Sequence, residues 1–209
     1  VFVLGGAKIS DAFMMMETVL GNGTADRVLT GGLVGNILLA AKGERIGQGS
    51  LDFIYKSNYG EYIEKAKGIY EKYSDKIVLP EDFGYVEEEK RRECLIGEVP
   101  ESVSAVDIGS RTIRLYCDII SKAATVFVNG PMGVFEQEAS ENGTKAVFEA
   151  LGSTEAYTVV GGGDSVTATA KYQVTGRLGY VCTGGGALVR FLTGEELPVV
   201  KALRYAAGR

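Results

Sequence analysis

Two runs of three glycines are the clearest candidates for binding chemistry in this sequence. The first, Gly161–Gly163, lies in TVVGGGDSVTATA, and the second, Gly184–Gly186, lies in YVCTGGGALVRFL. Each run follows an apolar segment rich in β-branched residues and precedes a helix-forming segment. A glycine turn that opens a helix exposes backbone amides to which a phosphate can bind. Two such turns indicate a surface where a ligand and the backbone approach closely.

Three charged side chains accompany the glycine turns. Lys8 follows a glycine pair near the start of the chain, Asp164 follows the first triplet directly, and Glu136 lies in NGPMGVFE. Taken singly, these are ordinarily a surface lysine, a helix N-cap and a solvated carboxylate. Taken together, a lysine, a carboxylate suited to Mg²⁺ and amides at helix starts are the parts used in phosphoryl transfer. We therefore expect a nucleotide site.

Glycine-rich turns recur at the ends of the predicted strands. Open parallel sheets bind ligands beyond the carboxyl ends of their strands, where the winding order reverses. Tight turns between strands and helices account for one or two glycine-rich ends, but not for the full set, which predicts a single binding rim. The six turns are GGAK at 5–8, GGLVGN at 31–36, GSRT at 109–112, NGPMGVFE at 129–136, GGGDS at 161–165 and TGGGA at 183–187.

Short apolar strands alternate with helical patterns along the chain. Continuous apolar strands between helices indicate a parallel sheet that is covered on both faces. The predicted fold class is α/β: a three-layer, doubly wound, mostly parallel sheet of Rossmann-like type, in one domain over 1–209. The predicted strands are Val1–Leu4, Arg27–Thr30, Lys76–Leu79, Ser104–Ile108, Thr125–Val128, Ala156–Val160 and Gly179–Cys182. The predicted helices are Ser10–Leu20, Leu33–Lys42, Tyr59–Tyr73, Arg111–Ala123, Asn142–Leu151 and Ser165–Thr175.

One segment does not follow this alternation. Asp82–Pro100 contains EEEKRRE and has no strong period, so we predict an exposed hairpin or irregular insertion without a functional role.

Polar residues at two helix starts predict side-chain caps. These are Ser10 or Asp11 for the first helix, and Asp164 or Ser165 for the helix after the first triplet.

Composition excludes several classes of function. The net charge is −5 over 209 residues, without an arginine-rich tract, so we expect neither nucleic acid nor a membrane as partner. The chain has no histidine, which excludes Ser-His-Asp and Cys-His catalysis and His-containing metal sites. Cys94, Cys117 and Cys182 are odd in number and lack CxxC spacing, so we expect free thiols and a cytoplasmic location.

Two standard nucleotide-binding motifs are missing. The chain has no GxxxxGK[ST], and indeed no Gly-Lys pair, which excludes a P-loop NTPase. Neither glycine triplet continues as GxGxxG. A Rossmann-like dehydrogenase, the main alternative for a doubly wound sheet, needs that motif and an acidic ribose ligand about 20 residues beyond it.

The ordered set of motifs resembles the nucleotide-binding, carboxyl-terminal half of the phosphoglycerate kinase family. GGAKISD, TGGLVGN, DIGSRTI, VNGPMGVFE, VVGGGDSVTA and TGGGALVRFL follow one another across almost the whole chain. The resemblance implies phosphate transfer between 1,3-bisphosphoglycerate and ADP, giving 3-phosphoglycerate and ATP with Mg²⁺. It also implies a second α/β domain with a basic patch for the phosphoglycerate. This acidic chain, which starts inside an apolar run without Met, does not show that patch.

The resemblance also assigns residues to the nucleotide. Glu136 would bind the ribose, Asn129 would lie near the phosphates, and Lys8 would approach the transferred phosphoryl group. Asp164 would be the metal ligand, and Lys8, Gly163 and Gly186 are the predicted catalytic positions. The positions assigned to the adenine base are Gly31, Gly32, Gly109, Pro131 and Val134. Those assigned to the phosphates through the two triplets are Gly162, Gly163, Asp164, Ser165, Gly184, Gly185 and Gly186.

The chain departs from the family pattern four residues after Lys8. Many members carry a second lysine there, and this chain has Ala12. Lys8 would then work with another cation or hold the phosphate more loosely. A nucleotide-binding module without catalysis is therefore a second alternative. We expect the chain to be a monomer that binds ADP or ATP without turnover by itself.

Overall fold

Residues 1–208, which the computed structural model describes, contain two β-sheets. The strands are β1 (Phe2–Leu4), β2 (Val28–Thr30), β3 (Ile77–Val78), β4 (Asp82–Glu87), β5 (Lys90–Leu95), β6 (Asp107–Ile108), β7 (Thr125–Asn129), β8 (Tyr157–Gly161) and β9 (Tyr180–Cys182). The larger sheet has the order β3-β2-β1-β7-β8-β9, and all its neighbouring strands are parallel. Its winding reverses between β1 and β7. The prediction of a doubly wound parallel sheet is confirmed.

Helices cover both faces of this sheet, so the three-layer prediction is also confirmed. The helices are α1 (Ile9–Gly21), α2 (Gly32–Ala41), α3 (Gln48–Lys56), α4 (Glu61–Tyr73), α5 (Ser110–Ser121), α6 (Asn142–Leu151), α7 (Gly163–Lys171), α8 (Gly185–Leu192) and α9 (Pro198–Ala206). Helices α1 to α4 and α8 contribute to the apolar core on one face, and α5 to α7 to the core on the other. Phe2 and Leu4 face the first core and Val3 the second, which explains why β1 is apolar at every position.

The predicted strand at 104–108 is wrong in extent and in partner. Only β6 is extended there, and it pairs antiparallel with β4 in a separate sheet of order β5-β4-β6. The residues before β6 are held by helices instead. The backbone N–H of Ala105 donates to Ser50 Oγ at 2.8 Å, and Asn36 Nδ2 donates to the carbonyl oxygen of Ala105 at 3.2 Å.

The charged segment forms the predicted hairpin, but it is not wholly exposed. Strands β4 and β5 pair around Glu88 and Glu89, whose φ angles of 49° and 62° suit a tight two-residue turn. Asp82 is 3% exposed, and its carboxylate accepts hydrogen bonds from the backbone N–H groups of Arg111 and Thr112, both at 2.8 Å. The hairpin therefore caps the start of α5, a role that the sequence analysis did not predict.

The predicted side-chain caps are wrong. Helix α1 begins after Lys8 and α7 begins after Gly162, and neither N-cap makes a side-chain hydrogen bond. Helix α1 starts directly after its glycine turn and α7 starts inside the first triplet, so the polar residues proposed as caps lie in the first helical turn. Helices α3 and α9 were not predicted. Within residues 1–208, no helix has the length and apolar character needed to cross a membrane.

Candidate functional site

The carboxyl ends of β1 and β7 meet where the winding of the sheet reverses. The backbone N–H of Gly5 donates to the carbonyl oxygen of Asn129 at 3.0 Å, and that of Gly6 donates to Pro131 at 2.8 Å. Gly130 has a φ of 96°, and an added Cβ there would overlap the carbonyl group of Gly5. Glycine therefore lets the two loops meet backbone to backbone. They form the floor of the crevice in which open α/β sheets bind ligands.

A small cleft lies above this floor at the start of α7. Ser165 is fully buried, and its Oγ accepts a hydrogen bond from the backbone N–H of Gly130 at 2.7 Å, which ties α7 to the loop after β7. Lys8 and Asp164 are exposed at the edge of the cleft. The residues that line the small cleft are Gly5, Gly6, Ala7, Lys8, Asn129, Gly130, Gly162, Asp164 and Ser165.

The second glycine triplet adjoins the first. An added Cβ on Gly185 would lie 3.7 Å from Gly162 Cα, so the starts of α7 and α8 are neighbours. Added Cβ atoms on Gly163 and Gly186 would meet no atom of residues 1–208 within 4 Å. First-turn amides have no intrahelical acceptor, and the helix dipole places partial positive charge there. The two helix starts, which we call the anion-binding surface, therefore have the donors and the partial charge that suit an anion.

A larger, mainly apolar cleft of about 460 Å³ adjoins the small one. Gly6, Ala7 and Asp164 belong to both clefts. The larger cleft has the size and composition of a small-molecule pocket, and the pair suits a ligand with a flat apolar end and an anionic tail. The residues that line the larger cleft are Gly6, Ala7, Gly32, Leu33, Asn36, Ser50, Phe53, Ser104, Ala105, Val106, Pro131, Gly133, Val134, Glu136 and Asp164.

The structure brings most of the predicted site residues together. Lys8, Asn129, Gly162, Asp164 and Ser165 line the small cleft, and Gly32, Pro131, Val134 and Glu136 line the larger one. Gly163 and the second triplet lie at the adjoining helix starts.

Two glycines predicted for the adenine pocket are outside the lining of both clefts. Gly31 is buried, and an added Cβ on it would lie 2.7 Å from Met132 Sδ. Gly109 is the N-cap of α5, where an added Cβ would overlap the carboxylate of Asp82. Both glycines therefore pack against protein atoms, and Ala105 is among the residues that line the larger cleft, so the assignment of Gly31 and Gly109 to the adenine base stays a prediction.

Helices α2 and α3 supply lining residues that sequence reasoning missed. Asn36 and Ser50 are 8% and 3% exposed, and both hold the backbone of Ala105 through hydrogen bonds. A polar Asn36 in the apolar pattern of α2 was a usable signal. Phe53 is 55% exposed at the cleft, and its local sequence pattern carried no sign of that position.

The loop that carries Glu136 is tethered on its outer side. Lys171 Nζ donates to the carbonyl oxygen of Phe135 at 2.6 Å and pairs with a Glu141 carboxylate oxygen at 2.6 Å. Ser140 Oγ donates to the carbonyl oxygen of Val134 at 2.6 Å. These contacts hold Val134 and Glu136 at the mouth of the larger cleft.

The donors at the small cleft suit a cation that arrives with phosphates, not one held by protein ligands alone. Residues 1–208 contain no group of three or more Asp, Glu, Cys or His side chains that could hold a metal ion. Mg²⁺ typically takes one or two carboxylates, with phosphate oxygens and water as its other ligands. The exposed carboxylate of Asp164 fits that pattern. Ala12, at the position of the second family lysine, is 6% exposed and lies in the apolar core.

A buried ion pair lies behind the wall of the larger cleft. Asp107 follows Val106, and its Oδ2 accepts hydrogen bonds from Arg91 Nη1 at 2.9 Å and from the backbone N–H of Gly143 at 2.8 Å. Its Oδ1 is buried without a partner among the described residues. Burial raises the pKa of Asp107 to about 6, although the Gly143 amide and the Arg91 guanidinium act in the opposite direction.

We expect the Asp107 carboxyl group to make the chain less stable as the pH rises from about 4 to about 6. Its pKa is 3.8 by reference and about 6 in the fold, so folding favours the protonated form. Its stabilising contribution is present below the reference pKa and is lost as the pH rises through the folded pKa, by ~2 kcal/mol over this interval.

Urea unfolding of the parent chain and of Asp107→Asn across this pH range would measure the effect. The other carboxylates contribute to both proteins, so the difference in free energy of unfolding isolates Asp107. The free energy of unfolding of the parent minus that of Asp107→Asn should fall as the pH rises. A difference that is constant with pH would contradict the prediction.

The chain is similar to proteins of one enzyme family. The family model described as Phosphoglycerate kinase matches residues 1–195. The phosphoglycerate kinase of Thermoplasma volcanium is 41% identical over 204 residues, which cover 97% of this chain and 50% of that protein. That of Methanosarcina mazei is 44% identical over 207 residues, covering 99% and 50%. The crystal structure of phosphoglycerate kinase from Pyrococcus horikoshii OT3 matches with a TM-score of 0.89 and 39% identity, covering 97% of this chain and 51% of that one. The chain spans about half the length of the curated relatives it matches.

Proposed function

This chain belongs to the phosphoglycerate kinase family, and from that premise we propose that it is the nucleotide-binding, carboxyl-terminal half of such an enzyme. It would bind ADP and ATP, with the base in the larger cleft and the phosphates at the small one. The whole enzyme would transfer phosphate between 1,3-bisphosphoglycerate and ADP. The phosphoglycerate would bind to a further domain, outside this chain. The unpaired thiols of Cys94, Cys117 and Cys182 support a cytoplasmic setting.

The observation that carries this proposal is the meeting of two helix starts beside an apolar cleft. The starts of α7 and α8 adjoin at Gly162 and Gly185, and the turn that carries Lys8 lies on the same small cleft. Asp164 belongs to both clefts. A nucleoside diphosphate has the matching shape, because a planar base and an anionic chain are joined by a short sugar.

In this proposal, the residues of the chain orient the phosphates and neutralise their charge. An acyl phosphate is already a good donor, so transfer needs neither histidine nor an activated nucleophile. Lys8 Nζ and the first-turn amides of α7 and α8 would stabilise the charge on the moving phosphoryl group. Mg²⁺, when bound with the nucleotide, would neutralise phosphate oxygens, with Asp164 as its protein ligand. Glu136, on the tethered loop, would accept a hydrogen bond from the ribose.

We expect the 209-residue chain to bind MgADP and MgATP at millimolar concentration or below. Isothermal calorimetry and thermal shift would both detect the binding. Gly163→Ala should weaken it, whereas Gly176→Ala should not, because both added Cβ atoms meet open space and only Gly163 lies on the anion-binding surface. No heat and no thermal shift with the parent chain would contradict the proposal.

In the same preparations we expect no kinase turnover by the chain itself, since it supplies only the nucleotide side of the reaction. Adding the domain that binds phosphoglycerate should restore some turnover. Robust activity of the 209-residue chain without that domain would show that our assignment of the two substrates to separate domains is wrong.

Ala12 favours one second candidate, a nucleotide-binding module of this family without catalysis. Its buried position supplies no cation to the small cleft. The two functions differ in one measurement, because a full-length protein with this half would bind MgADP in both cases and would turn over only in the first. Titration with NADH would test the dehydrogenase alternative, and we expect no binding.

A further inference from the structure

We infer that Arg91 and Asp107 are positioning residues for the base end of the nucleotide. Their buried ion pair holds what we call the base wall, formed by Ala105–Val106 and Gly133–Val134 in the larger cleft. The inference rests on the proposed function, because it concerns the same cleft. It adds a role for part of the charged hairpin segment, which lies outside the lining of both clefts.

Asp107 contacts both halves of the base wall. It directly follows Val106, and the backbone N–H of Val134 donates to the carbonyl oxygen of Val106 at 2.8 Å. An added Cβ on Gly133 would lie 2.7 Å from both Asp107 Oδ1 and Asp107 Cα. Gly133 therefore lies directly against the carboxylate, with no side chain between them. A displacement of this carboxylate would move both halves of the base wall.

Arg91 connects the same carboxylate to the hairpin. Its Nη1 donates to Asp107 Oδ2 and its Nη2 donates to the carbonyl oxygen of Ile108, both at 2.9 Å. An added Cβ on Gly84 would lie 2.6 Å from Arg91 Nη1, so β4 leaves space for the guanidinium. The backbone N–H of Val106 donates to the carbonyl oxygen of Gly84 at 3.0 Å. The hairpin thus holds the base wall through the backbone and through the ion pair.

Glu93 fixes the outer side of the guanidinium. Its Oε1 accepts hydrogen bonds from Arg91 Nε at 3.0 Å and Nη2 at 2.9 Å, and its Oε2 accepts one from the backbone N–H of Ser110 at 3.0 Å. The side chain of Arg91 is 14% exposed and that of Asp107 is 0% exposed. Removing one partner of such a pair leaves a buried charge without compensation. The carboxylate and the adjacent backbone would then have to shift.

The position of the ion pair predicts that its disruption lowers affinity only through the base end of the ligand. Asp107 touches the rear of the base wall, and Arg91 and Glu93 hold Asp107 from behind. The small cleft, in contrast, is built by the turns after β1, β7 and β8. Disrupting the pair should therefore weaken binding of a ligand that has a base. It should leave the binding of a phosphate chain that has no base unchanged. A general loss of structure would instead weaken the binding of both ligands.

The test compares Arg91→Gln with Arg92→Gln in the 209-residue chain. Arg92 is a matched control from the same strand, since its side chain is 53% exposed and lies 3.9 Å from Glu87 Oε2. Arg91→Gln should lower the affinity for MgADP about tenfold or more, because a wall displaced by a fraction of an ångström no longer fits the base. Arg92→Gln should change it by less than about twofold. Both variants should bind magnesium tripolyphosphate as the parent does, measured by calorimetry and by amide chemical shifts of Gly163 and Gly185.

Thermal unfolding of each variant precedes the titrations. If Arg91→Gln does not fold, Arg91→Lys takes its place, because lysine keeps the charge but lacks the planar fork that bridges Asp107 and Ile108. Unchanged MgADP affinity in a folded variant, or an equal loss for MgADP and tripolyphosphate, would overturn the inference. A parent chain that does not bind MgADP would reject the proposed function first, and the inference with it.

Discussion

Replacing Asp164 by asparagine is expected to weaken MgADP binding about a hundredfold while leaving the affinity for metal-free ADP unchanged or improved. The change removes the carboxylate proposed to hold Mg²⁺. Even the replacement of a residue that only orients a metal ligand lowers metal affinity by roughly ten- to a hundredfold. Metal-free ADP would gain, because a carboxylate beside phosphates repels them. Calorimetry with excess Mg²⁺ and again with excess chelator separates the two affinities.

The structure simplifies this experiment, because Asp164 is not a helix cap. It lies in the first turn of α7, where its charge stabilises the helix by less than about 1 kcal/mol. Asp11→Asn is the matched control, since Asp11 is the acidic residue in the first turn of α1 and lines neither cleft. Glu136→Gln should weaken ADP with and without Mg²⁺, because its proposed partner is the ribose. Equal losses for Asp164→Asn under both conditions would contradict the metal role.

Gly130→Ala is expected to destabilise the fold by about 4 kcal/mol. A φ of 96° is unfavourable for alanine, and its Cβ would overlap the Gly5 carbonyl group, which is backbone and cannot turn aside. The unfavourable backbone angle costs about 1 to 3 kcal/mol, and the overlap of the added Cβ with the Gly5 carbonyl group costs a similar amount. Urea unfolding with an extrapolation to water measures the sum.

Gly23→Ala separates the two contributions. Gly23 has a φ of 75°, but an added Cβ there would meet no described atom within 4 Å. Gly23→Ala should therefore lower the free energy of unfolding by only about 1 kcal/mol, which is the cost of the left-handed backbone. If Gly130→Ala were no worse than Gly23→Ala, the close contact between the loops after β1 and β7 would not be a determinant of stability.

The parallel sheet and the residues of the small cleft were predictable because they depend on local patterns. An apolar run such as β8 and the helical period that follows it are properties of adjacent residues, and a glycine turn between them shows where a helix start can meet an anion. The chain order of such units then places the turns at one edge of the sheet. Lys8 and Asp164 were found in this way, and Asn129 and Gly162 were added by the family resemblance. All four line one cleft.

The larger cleft could be predicted only in part, since its wall is built by contacts between distant segments. Pro131, Val134 and Glu136 lie on a recognisable turn. Gly109 was assigned to the adenine base by the family resemblance, whereas the structure places Ala105–Val106 at the cleft.

Only the tertiary structure decided which segments form that wall. Ser50 and Asn36 draw the backbone before β6 away from the central sheet by hydrogen bonds across 55 and 69 residues. Arg91, which sequence reasoning treated as part of a solvated charge run, is enclosed by Asp107 and Glu93. The period of a segment tells which of its faces is apolar. It does not tell which distant group will pair with a particular amide or charge, because that partner is determined by how the elements pack against one another.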